Sequence, residues 1–364
     1  MGRYRFYGTE VSYFSAKVRP ALRFKGLDYE EIQPTIAVYR EVILPRTGMA
    51  FIPIVVTPDD ETLQDTSVIL DELERRHPVP ALYPATPVQR IVSLLFELYA
   101  DEFMVIPAMH YRWSFPESEA KARADFTEMN GDAEQANKFA DRMKASLPVL
   151  GVNDATGPAI EAHLRELLDA LSAHFARHPF LLGQAMSLAD CALLGPMYAH
   201  LYLDVAPGKL LRETAPRVCE WIERANQGKP ADGPWLPDDA LAPTLRPILE
   251  LIGSDAVPIH RDDALAIDTW AADHPADWEP PPRGLGFHST RLRGVEFSRM
   301  TSAYSRFMLQ RLLDAYRALG RAERESVDLA LDGTGCEALF ELEPTVRARK
   351  DGFQLAYFRN GDGL

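Results

Sequence analysis

Cysteine is scarce in this chain of 364 residues: three in all, Cys191, Cys219 and Cys336, with none before position 191. An odd, scattered set makes no disulfide framework and suits a reducing compartment, so a cytoplasmic protein is expected. No apolar run approaches the roughly 18 residues that a membrane span needs. The opening MGRYRFYG enters a strand-like segment at once, leaving no room for a signal peptide's apolar core, and position 6 is Phe rather than the Ser or Thr of a myristoylation motif. Positive charge is in deficit: 39 Lys and Arg face 53 Asp and Glu, a net charge of −14. That balance argues against nucleic acid and acidic membrane surfaces as partners. HExxH, Cys-x-x-Cys and clustered His–carboxylate patterns are all missing, so no metal is expected. There is no fixed-period repeat.

What is present is ordinary for a globular protein, 46% hydrophobic and 25% charged, and long enough for two or three domains. RYRFYG (3–8) and DYEEIQ (28–33) read as strands flanking a helix at about 15–26, the start of an α/β unit. FIPIVVT (51–57) reads as a third strand and Glu61–Leu63 as a short fourth. TSVILDELERRHP follows as a helix, capped by Asp65 or Thr66, with Ile69, Leu70 and Leu73 on one face. Residues 77–87 hold four prolines in eleven positions and close a first domain, 1–85. From 86 to 228 the periodicity is helical. One long segment, 88–113, is expected to bend near Pro107. Another, 158–178, carries Ile160, Leu164, Leu167, Leu168, Leu171 and Phe175 at core spacing. SLAD at 187–190 reads as a capping box, although Asp190 could instead be a functional carboxylate. A second proline seam, 229–243, precedes an extension to residue 364. Helices are expected there near 241–252, 262–272, 301–319 and 321–333. The segment 273–298 is rich in Pro, Gly and Arg. Within it GLGFHSTRLRG (284–294) reads as irregular structure or a hairpin rather than a phosphate loop, and GFQLAYFR is a short apolar tail.

Taken in order, a strand, a hydroxyl-bearing turn, the KVRPALRFKGL helix, an Ile-Pro pair opening a strand and an acid–hydroxyl pair opening the next helix resemble the N-terminal domain of a glutathione transferase of serine type. The helical second part, with SLAD opening a buried helix, resembles that family's C-terminal domain. The resemblance covers residues 1–228 and stops at the extension. It implies a thioredoxin-like α/β domain, then an all-α domain, then a mostly helical extension of unknown role. It also implies glutathione as co-substrate, an electrophilic and largely apolar small molecule as second substrate, and a homodimer with a detoxifying role.

The resemblance also carries residue roles. Ser12, seven residues before Arg19, falls where serine-type members keep the hydroxyl that steadies the glutathione thiolate; Tyr13 and Tyr7 are the rivals. A thiol titrates near 8.5, and a helix N-terminus with one hydroxyl donor can lower it by about one to two units, each about 1.4 kcal/mol. Phe14, Arg46, Ile52, Pro53, Asp65 and Thr66 are the implied glutathione contacts. Pro53 is expected to be cis, turning the Ile52 backbone toward the ligand. Asp65 would take the γ-glutamyl ammonium and the Thr66 helix end the carboxylate. Phe51 departs from the family pattern, which often has Lys or Arg there; Arg46 is the candidate replacement. Pro20 falls early in the first helix, where a kink is expected. The acceptor site is expected along the 88–113 helix, at Phe96, Tyr99, Met104, Met109, His110 and Trp113, with core packing as the alternative for most of them.

Without an N-terminal cysteine, mixed-disulfide chemistry by the enzyme is excluded. Conjugation leads, glutathione-dependent isomerisation or ether or halide displacement uses the same thiolate, and a non-catalytic binding scaffold is the reading from another class. Arg291, Arg293, Arg299, Arg306 and Arg311 concentrate positive charge in the extension, either as ion pairs to an acidic body or for a carboxylate-bearing ligand.

Overall fold

The computed structural model describes residues 2–229, 233–274 and 280–359. Residues 230–232 of the second proline seam and 275–279 of the Pro/Gly/Arg-rich stretch lie outside the described residues. Four strands, β1 (Tyr4–Tyr7), β2 (Tyr29–Ile32), β3 (Ile54–Val56) and β4 (Thr62–Gln64), form one sheet in the order β2-β1-β3-β4. β1 pairs with β2 in parallel and with β3 antiparallel, so Phe6 lies between Glu31 and Val55. The parallel pair needs a crossover, and the helix Tyr13–Phe24 supplies it. That helix runs unbroken through Pro20. Val18 and Leu22 pack with Phe6, Val55, Ile69 and Leu73, so this helix and the helix Thr66–Arg76 cover the same face of the sheet.

The long 88–113 segment breaks before its proline. Pro87–Leu98 leads into a wide π turn, Tyr99–Phe103, and the helix resumes at Val105–Trp113. Pro107 cannot donate to the Phe103 carbonyl and its ring crowds that carbonyl, so the distortion sits in the turn on its N-terminal side. The capping box is present: both Asp190 oxygens are used, by the Ser187 N–H and hydroxyl and by the Leu181 N–H and Trp221 Nε1–H, all within 3.0 Å. With four donors spent on it, Asp190 is structural. A Cβ at Gly195 would lie 3.1 Å from the Tyr13 carbonyl, so glycine lets this buried helix sit against the first one.

In the extension, helices Arg246–Leu251, Val257–Ala272, Ala303–Arg317 and Arg321–Leu331 meet the expected periodic stretches. Two antiparallel hairpins join them: β5 (Gly284–Leu292) with β6 (Val295–Ser302), and β7 (Val346–Asp351) with β8 (Gln354–Arg359). The first resolves the 284–294 alternative as a hairpin. One apolar core runs from Ile91, Leu95 and Leu167 through to Leu312, Val327 and Leu339, so the extension is packed into the helical domain. Of the five arginines singled out in the sequence, four are paired with acids: Arg293 with Glu166 and Asp255, Arg299 with Asp263, Arg306 with Asp268, and Arg311 with Asp71 and Glu97. Arg291 lies on the exposed side of β5.

Candidate active site

A cavity of about 430 Å³ opens where the sheet's edge meets the extension. The N-terminal side contributes Phe14, Met49, Phe51, Ile52, Pro53, Gln64, Asp65 and Thr66, with Asp101 from the π turn. The extension closes the other side with Pro280, Pro281 and Arg283, with Ser302, Ala303 and Tyr304, and with Lys350, Phe353, Gln354 and Leu355 from the second hairpin. Gly352 has φ +57°, a turn conformation that glycine adopts at no steric cost, and the turn it makes presents Phe353 to the cavity.

Of the implied glutathione contacts, Phe14, Ile52, Pro53, Asp65 and Thr66 line this one cavity, and the Ile52–Pro53 peptide is cis. Arg46 does not reach it: its guanidinium donates to Asp60 Oδ1 at 2.8 Å and Thr62 Oγ1 at 3.0 Å, bracing the turn between β3 and β4. Ser12 caps the first helix, its oxygen accepting the Ser15 N–H at 3.3 Å, and among the described residues nothing accepts its own hydroxyl proton. Ser12 is not part of the cavity wall. Tyr13 is buried and donates to the Ala100 carbonyl; burial and the nearby Asp101 charge push its hydroxyl well above the usual tyrosine range. Tyr7 packs with Ile43, Ile54 and Val56.

Phe96, Tyr99, Met104, Met109, His110 and Trp113 are buried and none lines the cavity. Tyr99 is bonded to His163 Nε2 at 2.7 Å. His110 lies 3.2 Å from Glu161 beside a separate open cleft. The wall expected from these residues is instead supplied by Tyr304, Lys350 and Phe353. A helix stripe of aromatics and Met satisfies the needs of a core equally well, and the sequence pattern does not separate the two uses.

Asp65 is the most heavily used polar group of the cavity. With φ +83° it turns its carboxylate back over the following helix: Oδ1 accepts the Ser67 N–H at 3.2 Å and the Tyr304 hydroxyl at 2.7 Å, and Oδ2 pairs with Lys350 Nζ at 2.6 Å. Behind it lies a buried charge network. Lys17, fully buried, donates to Asp101 at 2.6 Å, Glu97 at 2.9 Å and Ser67 Oγ at 3.1 Å. Burial raises the Asp101 carboxyl against the pull of Lys17, whereas for Glu97 burial is outweighed by Arg311 and Lys17 and its carboxyl is lowered. Next to Asp101, burial pushes the Glu102 carboxyl up to about 7 although Ser305 donates to it. Among the described residues no group of three or more His, Cys, Asp and Glu side chains is placed to hold a metal, and no helix is long and apolar enough to cross a membrane.

Tyr304 and Lys350 had no warning in the sequence beyond Asp351-Gly352, a hairpin signal ahead of an apolar run. Nothing local links that turn to Asp65.

Residues 6–81 match the glutathione S-transferase N-terminal domain, the part that holds the four-stranded sheet and the cis Ile52–Pro53 bond, and residues 153–228 match the glutathione S-transferase C-terminal domain. Residues 6–81 and 153–228 thus resemble the two domains of a glutathione S-transferase, and the extension lies outside both matches. Solved structures overlap the chain only loosely. A Rhodospirillum rubrum F11 enzyme is 20% identical, covering 68% of this chain and 91% of its own, with a TM-score of 0.42. The β-etherase LigF of Sphingobium sp. strain SYK-6 is 18% identical, covering 61% and 94%, with a TM-score of 0.45. A Methylobacterium radiotolerans glutathione S-transferase, solved with glutathione sulfonate, is 19% identical, covering 66% and 100%, with a TM-score of 0.39. No functionally curated protein matches the sequence.

Proposed function

We propose that this glutathione S-transferase homologue is an enzyme that binds glutathione in the 430 Å³ cavity and directs its thiolate at an electrophilic, largely apolar small molecule. The supporting observation is the convergence of Phe14, Ile52, Pro53, Asp65 and Thr66, from three separate stretches of chain, on one cavity. The tripeptide backbone would lie along Ile52 and Pro53 with a carboxylate at the Thr66 helix end, beside the Ser67 N–H that Asp65 already holds. Its sulfur would reach toward Ser12, whose hydroxyl proton is uncommitted among the described residues. Ser12 then acts as a donor that lowers the thiol's pKa, and the sulfur attacks carbon. In a displacement the leaving group departs with its electron pair; in an addition the electron pair of the attacked double bond moves to the neighbouring atom, which takes a proton from water.

Residues 1–85 would hold glutathione, 86–228 form the helical body, and 229–364 complete the pocket. Conjugation, isomerisation and ether or halide displacement share the thiolate step, and product analysis separates them. Dimerisation, a cytoplasmic location and a detoxifying role belong to the same reading and rest on the family alone; sedimentation velocity tests the first. Calorimetric titration with glutathione, followed by turnover of a chlorodinitrobenzene, tests the whole. Micromolar binding and turnover lost in Ser12→Ala support it. Absent binding favours the second reading, a non-catalytic binding protein, for which the filled Asp65 carboxylate speaks.

A further inference from the structure

The cavity holds four charged side chains, and three are already answered within the protein. Asp65 is paired with Lys350 at 2.6 Å and Asp101 with Lys17 at 2.6 Å. The fourth, Arg283, has no carboxylate bonded to it among the described residues. Its guanidinium carbon lies 4.3 Å from the centre of the Phe51 ring. Its backbone is held, while the side chain is exposed: Pro280, Pro281 and Pro282 restrict the chain just before it, and its own carbonyl accepts the Ala303 N–H at 3.0 Å at the root of the first hairpin. In a chain of net charge −14 this cation is left facing a pocket whose remaining walls, Phe14, Phe51, Pro53, Phe353 and Leu355, are mostly apolar. An aromatic face holds a guanidinium without spending its N–H groups, which stay free for a planar anion. A ligand ammonium finds no such opening, because Lys350 already occupies Asp65.

We infer that the second substrate of this site is an apolar electrophile bearing a carboxylate, which Arg283 holds at the mouth of the cavity. This rests on the reading of the cavity as the reaction site, and Arg283 is a binding residue that sets specificity and takes no part in the chemistry.

The test uses three probes that share one apolar tail and contain no thiol or peptide: phenylbutyrate, phenylbutanol and phenylbutylamine, each titrated into the full chain by calorimetry. Phenylbutyrate is expected to bind about tenfold more tightly than the other two, with that preference erased in Arg283→Met and partly kept in Arg283→Lys. Glutathione affinity is expected to be unchanged in Arg283→Met. The inference falls if the amine binds as well as the carboxylate, or if Arg283→Met keeps the preference. It also falls if Arg283→Met weakens glutathione tenfold, since the arginine would then belong to the co-substrate. Glutathione titration of the unmodified chain reads the underlying proposal separately: carboxylate binding without glutathione binding removes the transferase reading and leaves the anion site standing.

Discussion

Lys350 Nζ sits 2.6 Å from Asp65 Oδ2, so an ammonium from the C-terminal hairpin occupies the carboxylate that glutathione's own ammonium would seek. Tyr304 donates to the other oxygen at 2.7 Å, and the pair joins the two ends of the chain across the cavity. A carboxylate so engaged is neutralised, and a second cation beside it meets the charge of Lys350 as well as that of Asp65.

Lys350→Met should therefore tighten glutathione binding by about tenfold, roughly 1.4 kcal/mol, while lowering the stability of the unliganded protein by about 1–3 kcal/mol because Asp65 loses its counter-charge. Paired calorimetry and urea unfolding measure both. Unchanged glutathione affinity in the variant would mean that the ammonium does not use Asp65.

Ser12→Ala should raise the pKa of bound glutathione's thiol by about one unit, read from the ultraviolet thiolate band against pH. Loss of the cap should cost about 1 kcal/mol of stability as well. A variant that loses the cap energy but keeps the thiolate titration would reduce Ser12 to a structural role.

Lys17→Met should destabilise the fold by about 3–5 kcal/mol, since Glu97 and Asp101 would be left buried around a missing charge. Denaturant unfolding measures it. A loss under 1 kcal/mol would show that water reaches the network.

Stability should decline from acid toward neutral pH through Glu102. Its folded-state pKa is raised to about 7 from an ordinary 4.5, so the folded protein binds the proton more tightly than the unfolded chain. That contribution is complete below about pH 4.5 and is lost as pH rises to about 7. Glu102→Gln should flatten this part of the melting-temperature profile relative to the unmodified chain, and parallel profiles for the two proteins would refute the assignment.

Local periodicity carried the architecture. The β-branched run at Ile54–Val56, the crossover helix after Ser12, the SLAD cap and the helices of the extension are each dictated by neighbours in sequence. The turn types, caps and apolar stripes that define them are short-range properties. The break in the 88–113 segment was legible only in part, since a proline's steric effect is relieved in the turn before it, at Tyr99–Phe103.

The sequence by itself determined the sheet, the helical body and the residues of one half of the cavity, because capping, strand alternation and an Ile-Pro pair act over a few residues. Only the tertiary structure decided what faces that half. Tyr304, Lys350, Arg283 and Phe353 arrive from hairpins and a helix whose own patterns say nothing of Asp65 or Phe51, and an ion pair between distant segments is written in neither of them.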